Sequence, residues 1–141
     1  MKAAATALRV FVGLDGIILI VLGLLFWSGN AGALIPVHEL LGIALVLALW
    51  TLAVLAALSG VSVGLVVLAA LWGLVVPILG MTQERLVPGD AHWLIQVLHL
   101  LVGITAIALA QVLAMRIASR RSSPSAGRHA RQSGALEGSA R

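Results

Sequence analysis

The stretch that decides the fold covers residues 92–115 and reads HWLIQVLHLLVGITAIALAQVLAM. It contains no Asp, Glu, Lys or Arg, and it is longer than the roughly 20 helical residues that cross a bilayer. Three further apolar runs of similar length precede it, at about 8–27, 36–58 and 61–80. The sequence therefore predicts an all-α integral membrane protein, an up-down bundle of four transmembrane helices within residues 1–118.

The overall composition indicates the same class and excludes several functions. Of the 141 residues, 61% are hydrophobic and only 10% are charged, which is outside the range of soluble domains. Cysteine is absent, so disulfides, thiolate metal sites, iron–sulfur clusters and covalently attached c-type haem are excluded. The sequence has no glycine-rich phosphate loop and no basic aromatic surface, and we expect no nucleic-acid partner.

The breaks between the apolar runs contain residues that favour turns. Gly and Asn occur in 28–32, Ser-Gly in 59–60 and Pro-Gly-Asp in 88–90. Pro36 suits the first turn of the second helix, and Asp90 suits the N-cap of the fourth. The breaks are short enough to join antiparallel neighbours.

Basic residues predict the orientation of the bundle. Lys2 and Arg9 precede the first run, whereas the two loops on the opposite side contain only Arg85. Six arginines follow the last run: Arg116, Arg120, Arg121, Arg128, Arg131 and Arg141. The positive-inside rule predicts a multi-pass protein of the cell (inner) membrane with both termini in the cytoplasm. Residues 119–141, rich in Arg, Ser and Gly, are expected to form a disordered basic cytoplasmic tail.

The first apolar run has a second interpretation. Lys2 and Arg9, the apolar run and the small residues at 31–33 also fit a secretory signal that is cleaved near residue 33. The three remaining spans would keep the same orientation, so the histidines would lie at the same depth under either interpretation.

One face of the fourth helix carries polar residues and residues with small side chains. His92, Gln96, His99 and Gly103 recur at helical spacing, and alanines continue the face at 106 and 110. A polar, small face on a membrane helix packs against protein and not against lipid. A histidine inside a membrane is by default a candidate functional site, because an imidazole in hydrocarbon is costly without a partner.

The second helix repeats part of this pattern. His38 is followed four positions later by Gly42, as His99 is followed by Gly103. A glycine one helical turn from a histidine leaves a groove in which a planar macrocycle fits. The two motifs, HELLG and HLLVG, resemble the haem-binding motifs of membrane cytochromes b, including the cytochrome b561-like four-helix proteins.

This resemblance implies a function. In that class a histidine from each of two helices ligates a haem between them, which makes His38 and His99 axial ligands of one non-covalent haem b per chain, near the outer leaflet. Gly42 and Gly103 line the ring, while His92 and Gln96 contact its propionates or support a ligand. The chain would be an electron carrier or redox subunit, and not a stand-alone enzyme, acting between a membrane quinol and another redox protein.

The partner of His38 depends on depth. His92 and His99 differ by about 10 Å along the fourth helix. Counted from the helix starts, His38 is level with His92; counted from the inner ends, it is nearer His99. We expect His99 to pair with His38, because His99 has the glycine groove and lies within the apolar zone.

Asp15 is the other polar residue deep in an apolar run, between Gly13 and Gly16. It is a candidate proton relay, unless it hydrogen-bonds a helix or reaches Arg9. In its number of helices and in this carboxylate, the chain loosely resembles the small multidrug resistance transporters. This resemblance implies a proton-coupled transporter that acts as a homodimer. The remaining alternative is a cofactor-free accessory or scaffold subunit whose polar face holds helices or a partner together.

Overall fold

The computed structural model describes residues 1–120, and within that range the chain forms four long α-helices. A short 3-10 turn leads into the second helix, and another follows the third. The helices are α1 (Lys2–Trp27), α2 (Ile35–Leu58), α3 (Val63–Thr82) and α4 (Trp93–Ser119). All four are long and apolar enough to cross a membrane, so the prediction of an all-α chain with four such helices is confirmed. The predicted tail lies outside the described residues from position 121 onward.

The predicted helix starts are partly right. Pro36 lies in the first turn of α2, where the missing N–H of proline costs no helical hydrogen bond. Asp90, in contrast, does not cap α4; the N-cap is His92, and no side chain caps the helix. Val87 and Gly89 have positive φ, and the N–H of His92 donates to the carbonyl oxygen of Gly89. A main-chain turn therefore occupies the position predicted for the cap.

The helices pack as an up-down bundle with α2 and α4 at its centre. Within residues 1–120, α2 and α4 contact each other and both remaining helices, so α1 and α3 lie on opposite sides. Most residues of the bundle core belong to α2 and α4, and the largest fully buried side chains among them are Leu45, Leu49, Leu52, Leu113 and Ile117. Alanines at 106 and 110 are also buried, which confirms that the polar, small face of α4 points into the bundle.

The bundle has two chemically different ends. The starts of α2 and α4 lie beside the ends of α1 and α3; this end, which we call the histidine end, contains His38, His92 and His99. The opposite end, the basic end, contains the start of α1 and the end of α4 with Lys2, Arg9, Arg116 and Arg120. Between them the outward faces are apolar: Leu40 is 67% exposed and Ile78 is 62% exposed.

The topology can be tested with cysteines, because the chain has none of its own. Thr82 is exposed at the histidine end, and Ser62 is exposed in the turn between α2 and α3 at the basic end. With both termini in the cytoplasm, we expect an impermeant maleimide to label Thr82→Cys in intact cells and Ser62→Cys only after lysis. The reverse pattern would contradict the predicted orientation.

Candidate functional site

His38 of α2 and His99 of α4 lie side by side at the histidine end. Their ring centres are 6.3 Å apart, and the ring planes are tilted by 48°. Both side chains are half-buried. α2 and α4 begin at the same end of the bundle, and both histidines lie within the first two turns of their helices. Of the two pairings considered from the sequence, the structure brings together His38 and His99.

The neighbouring helices present an aromatic ring and two glycines to this pair. Phe26 contacts His38 edge-on, with ring centres 5.4 Å apart. A Cβ atom at Gly23 of α1 would lie 4.0 Å from Cε1 of His38, and one at Gly80 of α3 would lie 3.3 Å from Cε1 of His99. The glycines in contact with the histidine rings therefore come from α1 and α3.

Gly42 and Gly103, the glycines of the two motifs, lie beside open space. Both are half-buried, and no atom of another described helix or side chain lies within 4 Å of a Cβ built on either one. The fully buried residues of α2 and α4 begin only at Leu45 and Val102, further from the histidine end. Both motif glycines therefore have open space in the direction that a side chain would take.

One nitrogen of each ring is buried without a hydrogen bond. Nδ1 of His38 and Nδ1 of His99 have no partner among residues 1–120. An unpaired buried polar atom costs about 1 to 3 kcal/mol. Such an atom calls for an explanation, for example a bound ion or water. The interhelical hydrogen bond that a purely structural role requires is not formed by either Nδ1 in this part of the chain.

His92 and Gln96 lie nearer the mouth of the bundle. Nδ1 of His92 is 3.2 Å from the carbonyl oxygen of Leu86, in the loop between α3 and α4. His92 is seven residues from His99, which is about 10 Å along the helix. Gln96 is half-buried between these two positions. His92 therefore bonds the loop, and the structure does not bring it into the ring pair.

Asp15 is buried in the bundle with no partner in the described range. The residue is 3% exposed, and neither carboxyl oxygen has a hydrogen bond within residues 1–120. Arg9 does not reach it: Nε of Arg9 donates to Oε1 of Gln111, and Nε2 of Gln111 donates to the carbonyl oxygen of Arg9, both at 3.0 Å. Of the alternatives for Asp15, neither a hydrogen bond to a helix nor a bond to Arg9 is formed within residues 1–120, and Nε of Arg9 bonds Gln111 of α4 instead.

The histidine pair supplies two ligands. Residues 1–120 contain no group of three or more His, Asp or Glu close enough to hold a metal ion together. Structural zinc usually takes four protein ligands. Haem iron takes one or two axial ligands from the protein, histidine among them. Two imidazoles from facing helices match the second requirement.

Comparison with protein-family models, curated proteins and solved structures finds no match. The assignment of a function therefore rests on the site itself. The site combines two adjacent imidazoles, open space beside the motif glycines and, deeper in the bundle, a buried carboxyl group without a partner.

Proposed function

We propose that this chain is a membrane electron-transfer protein that binds one b-type haem at the histidine end, with His38 and His99 as axial ligands. The observation that carries the proposal is the meeting of two half-buried imidazoles from α2 and α4. Three further properties support it: the apolar outer surface, the spacing of the rings and the room around them.

Membrane embedding is supported by the surface of the bundle. The faces that point away from the core carry large exposed aliphatic side chains along all four helices described. In a protein surrounded by water such a continuous apolar surface is rare. Within residues 1–120 the basic residues lie at the basic end, except Arg85 in the opposite loop. This asymmetry supports an orientation with both termini in the cytoplasm.

The spacing of the rings suits two axial ligands. Two imidazoles that bind one first-row metal ion from opposite sides, each through a bond of about 2.0 to 2.1 Å, have ring centres about 6 to 6.5 Å apart. The ring centres of His38 and His99 are 6.3 Å apart in the structure. A bound haem would supply one-electron redox chemistry, and the protein would tune its potential through the axial ligands and burial.

Each residue around the pair then has a distinct task. His38 and His99 would hold the iron from two helices, and Gly42 and Gly103 would leave space for the macrocycle. Phe26 packs against His38 and keeps water from that ring. His92 and Gln96, nearer the membrane surface, can hydrogen-bond the propionates. Electrons would pass between a quinol in the bilayer and a redox partner on the outer side.

The motif glycines offer a test of haem binding that does not remove a ligand. Since the space beside Gly42 and Gly103 is open, Gly42→Leu and Gly103→Leu should fold normally, yet fill the space that the macrocycle needs. We expect at least a tenfold loss of haem per chain, measured by absorption after purification. Gly64→Leu, at another glycine with open space but near the basic end, is the matched control. Equal haem content in all three variants would show that the glycines do not line a haem site.

A second candidate function, proton coupling, is favoured by Asp15. Its buried carboxyl group has no hydrogen-bond partner in the described part of the chain. A charged group near the bilayer centre costs about 2.5 to 3.5 kcal/mol on insertion scales, so a carboxyl group retained there is a candidate for binding a proton during function. This role is compatible with electron transfer and is also the basis of the transporter alternative.

Asp15→Asn tests that role. If Asp15 takes up a proton on reduction, the potential of the wild-type protein falls with rising pH by at most about 59 mV per pH unit, the value for one proton per electron. The variant should fold and keep its spectrum but lose this slope in a redox titration. Asp90→Asn, in an exposed loop, should keep it. An unchanged slope and unchanged proton-dependent flux in Asp15→Asn would leave the residue with a packing role only.

A further inference from the structure

An apolar groove runs between α2 and α3 on the outer surface of the bundle, in the half nearer the basic end. Residues 50–58 of α2 and 66–70 of α3 line it, and its volume is about 320 Å³. Every atom exposed in it is apolar. We call it the α2–α3 groove. It does not include His38, His99 or Asp15, so the proposed haem function leaves it without a role.

The groove has a fixed inner wall. Nε1 of Trp50 donates to the carbonyl oxygen of Ala70 at 3.1 Å, which holds the indole across the gap between the two helices. From Trp50 to Leu58 the groove extends about 12 Å along α2, at 1.5 Å per residue. Ala53 forms part of the floor, while Val54 and Leu58 are exposed at the rim. This shape and lining suit a linear hydrocarbon chain.

The open end of the groove is next to a cationic group. α2 ends at Leu58, and the turn that follows contains Ser59 and Gly60. Nη1 of Arg120 lies 3.7 Å from the position of a Cβ at Gly60. The apolar groove thus ends at Leu58, two residues before the turn glycine that packs against a guanidinium group.

We infer that the α2–α3 groove binds one acyl chain of an anionic phospholipid, whose phosphate lies against the exposed guanidinium group of Arg120. The cytoplasmic leaflet is rich in anionic lipids and attracts basic side chains at its surface. The proposed orientation puts Arg120 at that leaflet. The inference rests on the proposed membrane embedding and is independent of haem, because the groove and the histidine pair share no residue.

Native mass spectrometry of the full-length protein tests the inference. The detergent-purified protein is incubated with equal amounts of phosphatidylglycerol and phosphatidylcholine of distinguishable mass. We expect the wild-type chain to retain one phosphatidylglycerol with about fivefold preference, the contribution of one basic side chain near an anionic surface. Arg120→Gln should bind both lipids about equally. Lys2→Gln, at the same end but on α1, should keep the preference.

Variants that fill the groove distinguish binding of the acyl chain from binding of the headgroup. Ala57 is an exposed residue of the groove, and Ala108 is exposed on α4. Ala57→Phe should retain at least fivefold less of either lipid than wild type, and Ala108→Phe should match wild type.

Equal retention by the two phenylalanine variants, or an unchanged preference in Arg120→Gln, would overturn the inference. So would a change from dimer to monomer in Ala57→Phe with lipid retention unaltered, because the groove would then be a helix-packing surface between two copies. A protein with a haem spectrum but no retained lipid would contradict this inference alone.

Discussion

Alanine at either His38 or His99 is expected to abolish the low-spin haem spectrum of the purified protein. Removing one axial ligand leaves the iron with the other imidazole, so the haem either becomes high-spin or dissociates. The expected effect is complete in each single variant, because the described chain offers no third histidine next to the pair. The measurement is an absorption spectrum of the reduced protein, with haem content normalised to protein.

His92→Ala is the matched control for these two variants. Its ring bonds the carbonyl oxygen of Leu86 and lies further out along α4, so low-spin ligation should survive with at most a shift in potential. Helix content by circular dichroism should be unchanged in all three proteins, since neither His38 nor His99 hydrogen-bonds another helix within residues 1–120. If His99→Ala keeps the low-spin spectrum and His92→Ala loses it, His92 is the ligand and the pairing proposed here is wrong.

Leucine at Gly73 is expected to cause the largest loss of stability. Gly73 is buried in α3, and a Cβ there would collide with the indole of Trp50, whose Nε1 donates to the carbonyl oxygen of Ala70. Overpacking of this kind costs about 1 to 3 kcal/mol, and the loss of the hydrogen bond adds about 1 kcal/mol. We expect unfolding in detergent, followed by circular dichroism, to show a loss of about 2 to 4 kcal/mol.

Gly64→Leu is again the appropriate comparison, because it lies on the same helix beside open space. A second substitution, Trp50→Leu, should restore part of the stability of Gly73→Leu by removing the atoms that clash. Equal stability of Gly73→Leu and Gly64→Leu would show that the contact between Gly73 and Trp50 does not hold α2 against α3.

The number of helices was predictable from the sequence, and so were the ends of α1 at Trp27 and α2 at Leu58, but not the start of α1 or the end of α4. Each apolar run marks the part of a helix that suits hydrocarbon, and helical hydrogen bonding continues beyond it. α1 therefore begins at Lys2, well before the apolar run, because the alanines at 3–5 are strong helix formers. α4 likewise continues to Ser119. The N-cap predicted at Asp90 was wrong because the loop closes by main-chain bonds instead of a side-chain cap.

The proximity of His38 and His99 was predictable from the sequence, but the contacts of α1 and α3 with the pair were not. Helical spacing puts His99 and Gly103 on one face, and counting from the inner helix ends places His38 nearer His99 than His92. The contacts of Gly23 and Gly80 with the rings depend on how α1 and α3 pack, for which the sequence carries no local signal. Arg9 pairs with Gln111, which is 102 positions away, so its failure to reach Asp15 could not be foreseen.

The central claim, one haem between His38 and His99, is tested most directly by the reduced-minus-oxidised absorption spectrum of wild-type protein purified from cells supplied with haem. The account predicts a low-spin b-type spectrum with one haem per chain. A well-folded, colourless protein would contradict it, and the chain would then be better described as a cofactor-free accessory subunit or a transporter dependent on Asp15.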